Sequence, residues 1–178
     1  MRESNRPRRA IVSSAHLVSE QAAPSSEFEY GLIVASNAFA RWIQRCMAAA
    51  GHPELGPLDV QVLHSVNHRG REKKLADLCF VLNVEDSHTV AYALKKLARL
   101  GLVARSKQGK EIFWSTTATG RDACRRYREV REDCLIAALG AFTGGSSEKL
   151  DAQLAETAEL LRALSGLYDQ AARAAASL

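Results

Sequence analysis

The chain has 178 residues, enough for one domain with helical extensions, and its 47% hydrophobic and 25% charged residues are ordinary globular values. Lys plus Arg number 24 against 20 for Asp plus Glu, a net charge of +4, so only a local concentration of basic residues can argue for a nucleic-acid partner. No apolar run approaches the roughly 18 residues that span a bilayer. The arginines at the start (Arg2, Arg6, Arg8, Arg9) lead into a stretch broken by Ser13, Ser14, His16, Ser19 and Glu20, a poor export signal. A cytoplasmic protein with no membrane partner is expected. Its Cys46, Cys79, Cys124 and Cys134 form no C-x-x-C pair and read as reduced thiols.

Residues 1–24 are rich in Arg, Ser, Ala and Pro and read as a flexible basic arm. Ser26 and Glu29 have the spacing of a capping box. Behind them Phe28, Leu32, Ala35, Phe39, Trp42, Cys46 and Ala50 recur every three or four residues, which predicts a long amphipathic helix stopped by Gly51. Pro57 suits the first turn of a second helix, with Leu58, Val62, Leu63 and Val66 inward. Leu75, Leu78, Cys79 and Leu82 predict a short third helix. The residues from Asn83 to Asp86 form a tight turn, with Asp86 as N-cap of a fourth helix. That helix turns Val90, Leu94 and Leu97 inward and ends before Gly101. The period then becomes strand-like over 102–107 and 111–115, with Gln108-Gly109 as the hairpin tip. After Thr117 a long helix carries Ala123, Tyr127, Val130, Cys134, Ala137 and Ala141 on a heptad-like stripe, broken by Gly144-Gly145. A last helix repeats Leu150, Leu154, Thr157, Leu161, Leu164 and Tyr168. The fold class is therefore mainly α with a small β-hairpin: a winged helix-turn-helix over 57–116, with the helices at 25–52 and 117–178 as a dimerisation platform.

Two short helices, a tight turn and a hairpin follow the winged helix-turn-helix order, in which the second helix of the pair enters the major groove and its first turn reaches base edges. Here that turn holds Ser87, His88 and Thr89, with Tyr92 one turn on, all able to donate or accept hydrogen bonds. Between Ser87 and Lys110 there is no Asp or Glu, while Lys95, Lys96, Arg99, Arg105, Lys107 and Lys110 are all basic. Such a local patch on a nearly balanced chain is what phosphate contact requires. Arg71 and Lys73, beside Arg69 and Lys74, form a second basic cluster. The expected partner is double-stranded DNA. The alternatives are a winged helix that binds a protein instead, or a redox or metal sensor on the same scaffold.

In its motifs the chain resembles the MarR family of transcription regulators. The likeness rests on Leu75-Ala76-Asp77-Leu78, on Thr89-Val90, on the run from Leu94 to Val103, and on Thr117-Ala118-Thr119-Gly120, and it covers about Phe28 to Tyr168. Two departures stand out. Ser106 to Lys110 replaces the family's Asp-x-Arg wing motif, and the turn before Val90 is one residue longer than usual. The resemblance implies a homodimer in which the first and last helices interlock, with Phe28, Tyr127, Val130, Leu150, Leu154, Leu161, Leu164 and Tyr168 at the interface. It also implies a small, often aromatic, anionic effector, for which Phe39, Trp42, Cys46 and His64 are candidates. Plain core packing suits Phe39 better than Trp42.

Cys46 stands near Arg41 and Arg45, as a redox switch would, yet it lies on the apolar stripe, where a buried thiol is unremarkable. His64 and His68 are spaced for a metal on one helix face, with His52 and Asp59 as the nearest further ligands. Two histidines alone are more often hydrogen-bonded residues, so no metal and no cofactor are expected. No phosphate loop, nucleophile elbow or carboxylate pair points to an enzyme.

Overall fold

The computed structural model describes residues 23–142 and 147–178. The first 22 residues of the basic arm and Gly144-Gly145 lie outside the described residues. The chain divides into two compact units, Met1–Tyr127 and Arg128–Leu178.

The first unit opens with α1 (Ala23–Ala49), followed by α2 (Pro57–Asn67), a short 3-10 turn (His68–Gly70), α3 (Leu75–Leu82), α4 (Ser87–Arg99), the strands β1 (Val103–Gln108) and β2 (Glu111–Thr116), and the start of α5 (Ala118–Arg131). The helix α1 includes Ala23 and Pro24. Ser26 lies inside the helix, buried, and does not cap it. Two helices are held at their starts by an aspartate three residues in. Asp59 Oδ2 accepts the Gly56 amide at 2.8 Å before α2, and Asp77 Oδ2 accepts the Lys74 amide at 3.1 Å before α3.

Three helices stop in the same way. After α1, α3 and α4 the chain turns through a left-handed residue: Gly51 (φ 102°), Asn83 (φ 51°) and Gly101 (φ 72°). Each time the next amide bonds back across the turn, His52 N to Met47 O at 3.0 Å, Val84 N to Cys79 O at 2.9 Å and Leu102 N to Leu97 O at 2.9 Å. Asn83 therefore makes the tight helix-turn-helix corner, because Asn tolerates this backbone region better than other residues with a Cβ.

The core of this unit collects Ile43, Met47 and Ala50 from α1, Val60, Val62, Leu63 and Val66 from α2, Leu78 from α3, Val90, Ala93, Leu94 and Leu97 from α4, and Leu102, Val103 and Ala123. The stripe expected on α1 is thus buried only in its second half. Leu32, Ile33, Val34 and Phe39 are exposed, whereas Trp42 packs against the core. This reverses the expectation for Phe39 and Trp42. Phe39 lies on the same helical line as Trp42, Ile43 and Cys46, since spacings of three, four and seven residues bring side chains to one face, and it is exposed because that line runs out one turn ahead of the segment packed on the core.

β1 and β2 form an antiparallel hairpin in which Val103 pairs with Thr116 and Gln108 with Glu111. The two-residue tip is therefore Gly109-Lys110, one position beyond the expected Gln108-Gly109, and Gly109 (φ 62°) supplies the left-handed residue. Thr117 caps α5: its Oγ1 accepts the Gly120 amide at 3.0 Å and donates to the Gly101 carbonyl at 2.6 Å. A Cβ on Gly120 would lie 2.0 Å from Leu102 O and 2.8 Å from Thr116 Cγ2, so only glycine allows α5 to start this close to the hairpin.

The second unit holds the end of α5, a π-helical segment (Glu132–Ile136), α6 (Ala137–Phe142) and α7 (Ser147–Ala175). The single long helix expected after Thr117 thus contains an irregular turn. The wider π turn shifts the phase of Ala137 against that of Ala123 and Tyr127, so the heptad stripe is not continuous. On α7, Leu150 and Leu164 are half-buried, while Leu154, Leu160, Leu161, Leu167 and Tyr168 are exposed.

Candidate nucleic-acid interface

The first turn of α4 is built by Asp86. Its carboxylate accepts the His88 amide at 2.9 Å, and its carbonyl accepts the Thr89 hydroxyl at 2.7 Å. Capping thus rests on the Asp86 carboxylate, not on Ser87 or Thr89. Ser87, His88 and Thr89 are exposed, and Tyr92 is 68% exposed. The opposite face of the same helix, Val90, Ala93, Leu94 and Leu97, is fully buried, which fixes the direction in which the first four point. His88, Thr89 and Tyr92 form one wall of a groove of about 450 Å3, and Gly56, Pro57, Leu58 and Asp59 form the other.

The basic residues expected to meet phosphates divide into two groups. Arg71, Lys95, Arg105, Lys107 and Lys110 are exposed, as is Arg99. Lys95 and Arg105 share a groove of about 250 Å3 with Ile112 and Trp114, between α4 and the hairpin. The ammonium groups of two of these lysines are bonded to acceptors of this chain. Lys96 Nζ donates to Asp59 Oδ2 at 2.6 Å and to Glu54 O at 2.7 Å. Lys73 Nζ donates to the carbonyls of His68 and Arg71, each at 2.9 Å. Partial burial lowers the Lys73 pKa, and the neighbouring charge of Arg71 adds to the effect.

The wing is held from the side by the segment before α3. Lys73 and Trp114 exchange both backbone hydrogen bonds at 2.9 Å, a single antiparallel bridge beside the two-stranded hairpin. The Glu72 carboxylate accepts from Ser106 Oγ at 2.8 Å and from Gln108 Nε2 at 2.6 Å, and Lys74 pairs with Glu111 at 2.6 Å. These polar ties stand where the sequence lacks the Asp-x-Arg wing motif. Sequence reasoning missed them, although the acidic residue inside the Arg69–Lys74 cluster was a signal.

Among the effector candidates, Cys46 is buried and its Sγ donates to the Tyr127 carbonyl at 3.4 Å. His64 stacks edge-on against Tyr127 with ring centroids 4.6 Å apart. Trp42 packs against the hydrophobic core, as Tyr127 does, while Phe39 is exposed. The burial of Cys46 removes the accessible setting that a redox switch needs. His68 is exposed, whereas His64 is partly buried.

Residues 55–120 match the family model of a winged helix DNA-binding domain. A comparison with curated proteins found no match. Among solved structures, a MarR-family transcriptional regulator from Rhodococcus sp. RHA1 superposes with a TM-score of 0.59 at 16% identity, over 77% of this chain and 93% of that one. NMB1585, a MarR family regulator from Neisseria meningitidis, gives 0.56 at 18% identity, over 83% and 98%. NadR, solved in complex with 4-hydroxyphenylacetate, gives 0.53 at 20% identity, over 71% and 88%. Residues 55–120 thus have the winged-helix fold. The fold of the chain is that of the MarR-family regulators, as its motifs implied.

Proposed function

We propose that this chain is a cytoplasmic transcription regulator that binds double-stranded DNA in a sequence-specific manner as a homodimer. The observation that carries this reading is the first turn of α4: Ser87, His88, Thr89 and Tyr92 are exposed, polar and fixed in direction, and exposed Lys95, Arg99, Arg105, Lys107 and Lys110 follow them. The first set has the chemistry to read base edges, and the second has the charge to hold phosphates. Arg71 adds a cation near the wing.

The homodimer is supported by apolar surface that a single chain leaves open. Leu32, Ile33, Val34 and Phe39 on α1, and Leu154, Leu161 and Tyr168 on α7, are exposed. Phe28, Tyr127, Val130, Leu150 and Leu164, the other expected interface residues, are half-buried. Exposed apolar side chains on each of these two helices suit an interaction site, and a two-fold pair of winged helices would read two half-sites about one helical turn apart. Modulation by a small aromatic anion is part of the same proposal. It rests on the NadR complex with 4-hydroxyphenylacetate and on the residue types of buried Cys46 and partly buried Trp42 and His64.

A gel-shift titration of the full chain against the DNA upstream of its own gene and against random duplex, at two salt concentrations, tests the reading. Selective binding that weakens with salt is expected. Equal affinity for both duplexes would overturn it in favour of a protein-binding winged helix.

A further inference from the structure

The geometry points to Lys96 as a positioning residue for DNA reading: by neutralising Asp59 and clamping α4 to the start of α2, it sets the groove that presents His88, Thr89 and Tyr92, and it touches no phosphate itself. This inference rests on the DNA-binding reading above.

The side chains of Lys96 and Asp59 are 21% and 10% exposed, and they meet at 2.6 Å. Three further bonds converge on this pair of groups and the loop around it. The ammonium also holds the Glu54 carbonyl at 2.7 Å, and the same Asp59 oxygen accepts the Gly56 amide at 2.8 Å. The Val60 amide bonds to the Gly56 carbonyl at 3.1 Å, so the residues bound to Lys96 belong to the loop and first turn that begin α2. The latch thus joins the later half of α4 to the entry of α2, across 37 residues of sequence.

Position gives the latch its consequence. Asp59 lines the groove of about 450 Å3 opposite His88, Thr89 and Tyr92. Without Lys96 this groove would hold a bare carboxylate next to the turn that approaches DNA, and a carboxylate there repels phosphate. The partly buried anion would also recover too little hydration, so the Gly56 turn and the first turn of α4 would move apart to let water in. Both effects act on DNA through Asp59. Lys95, one residue earlier and exposed, has no such partner among the described residues and is placed to meet phosphate directly.

The full-length chain decides the matter with Lys96→Met, Asp59→Asn, the double variant Lys96→Met/Asp59→Asn, and Lys95→Met as the comparison. Affinity for a selected duplex, the specific-to-random ratio and the salt slope are measured for each, with melting temperature alongside. Lys96→Met should weaken specific binding about tenfold or more, since it leaves a partly buried charge unpaired. Its salt slope should stay unchanged. Asp59→Asn in the same chain should restore both the affinity and the ratio to within about threefold, because the bare charge is gone. Lys95→Met should instead flatten the salt slope by about one.

A Lys96→Met chain that flattens the slope by about one, and is not rescued by Asp59→Asn, is a phosphate contact and overturns the latch. Rescue of the melting temperature without rescue of the specific-to-random ratio shows a merely structural pair and overturns it too. If Lys96→Met alone fails to fold, the double variant carries the test, and a double variant that stays tenfold weak counts against the latch. Wild-type chain that selects no duplex overturns the DNA reading itself, before any variant is compared.

Discussion

The winged helix and the last helix carry the same kind of residue in opposite situations. In the first unit Leu63, Leu94, Leu97 and Leu102 are completely buried. On α7, Leu154, Leu160, Leu161 and Leu167 are 39–60% exposed, although their spacing is just as regular. A three- and four-residue period therefore shows that a helix has an apolar face, and does not show what covers it. Five helices and a hairpin contribute to one small core in the first unit, while α7 presents its stripe as one straight face. A face of that sort is stable in water only against a further apolar surface. The α1 helix shows both situations within its own length, buried from Trp42 onward and exposed at Leu32, Ile33, Val34 and Phe39.

The sharpest way to break this contrast is to put charge on the exposed stripe. Leu161→Asp with Leu164→Asp should convert a dimer to monomer or unfolded chain in light scattering, because two carboxylates at a shared apolar interface cost several kcal/mol (about 3 or more) unless they are paired. A wild-type chain that runs as a stable monomer at micromolar concentration would show that the stripe has another use. Next in size is the close approach inside the winged helix. Gly120→Ala should cost about 3 kcal/mol, since its new methyl meets the Leu102 carbonyl and the backbone must yield. Thermal unfolding measures this, and a melting temperature within a degree or two of wild type would contradict the packing described at that point.

Effects on DNA should be smaller, and they separate the parts of the reading surface. His88→Ala and Thr89→Ala should each lower discrimination between selected and random duplex by about 1–3 kcal/mol, with the fold intact. Asp86→Ala should instead lower stability by about 1 kcal/mol through the lost cap and leave the discrimination ratio alone. The reverse pattern would move the reading surface away from this turn. Lys107→Ala with Lys110→Ala should weaken all sequences alike and flatten the salt slope by about one per lost phosphate contact. An unchanged slope would place the wing off the backbone. The smallest effect belongs to Cys46: peroxide should leave DNA binding unaltered. Loss of binding that Cys46→Ser prevents would show that the buried thiol becomes accessible.

Much of this was legible in the chain because it is local chemistry. Pro57 at the start of α2, Asp86 before α4, Gly101 after it, and the inward line Val90, Leu94 and Leu97 each state their own role within one or two turns of backbone. The order of those signals was enough for the winged helix and for the polar turn at Ser87 to Thr89. Where the expectation slipped, a longer-range partner decided. The hairpin tip moved by one residue because Gln108 pairs with Glu111 and turns toward Glu72. The helix after Thr117 carries a π turn over Glu132–Ile136 that no residue there announces.

The sequence by itself determined which segments are helices and where α2, α3 and α4 begin and stop, since backbone propensity, caps and apolar period act over a few residues. Only the tertiary structure decided which basic side chains are available to a partner. Lys95 and Lys96 are adjacent and chemically identical, and one is exposed while the other is bound to Asp59 and the Glu54 carbonyl. The hundred-degree step between neighbours on a helix sends one ammonium outward and the other toward α2, and what it meets there is set by residues 37 positions away.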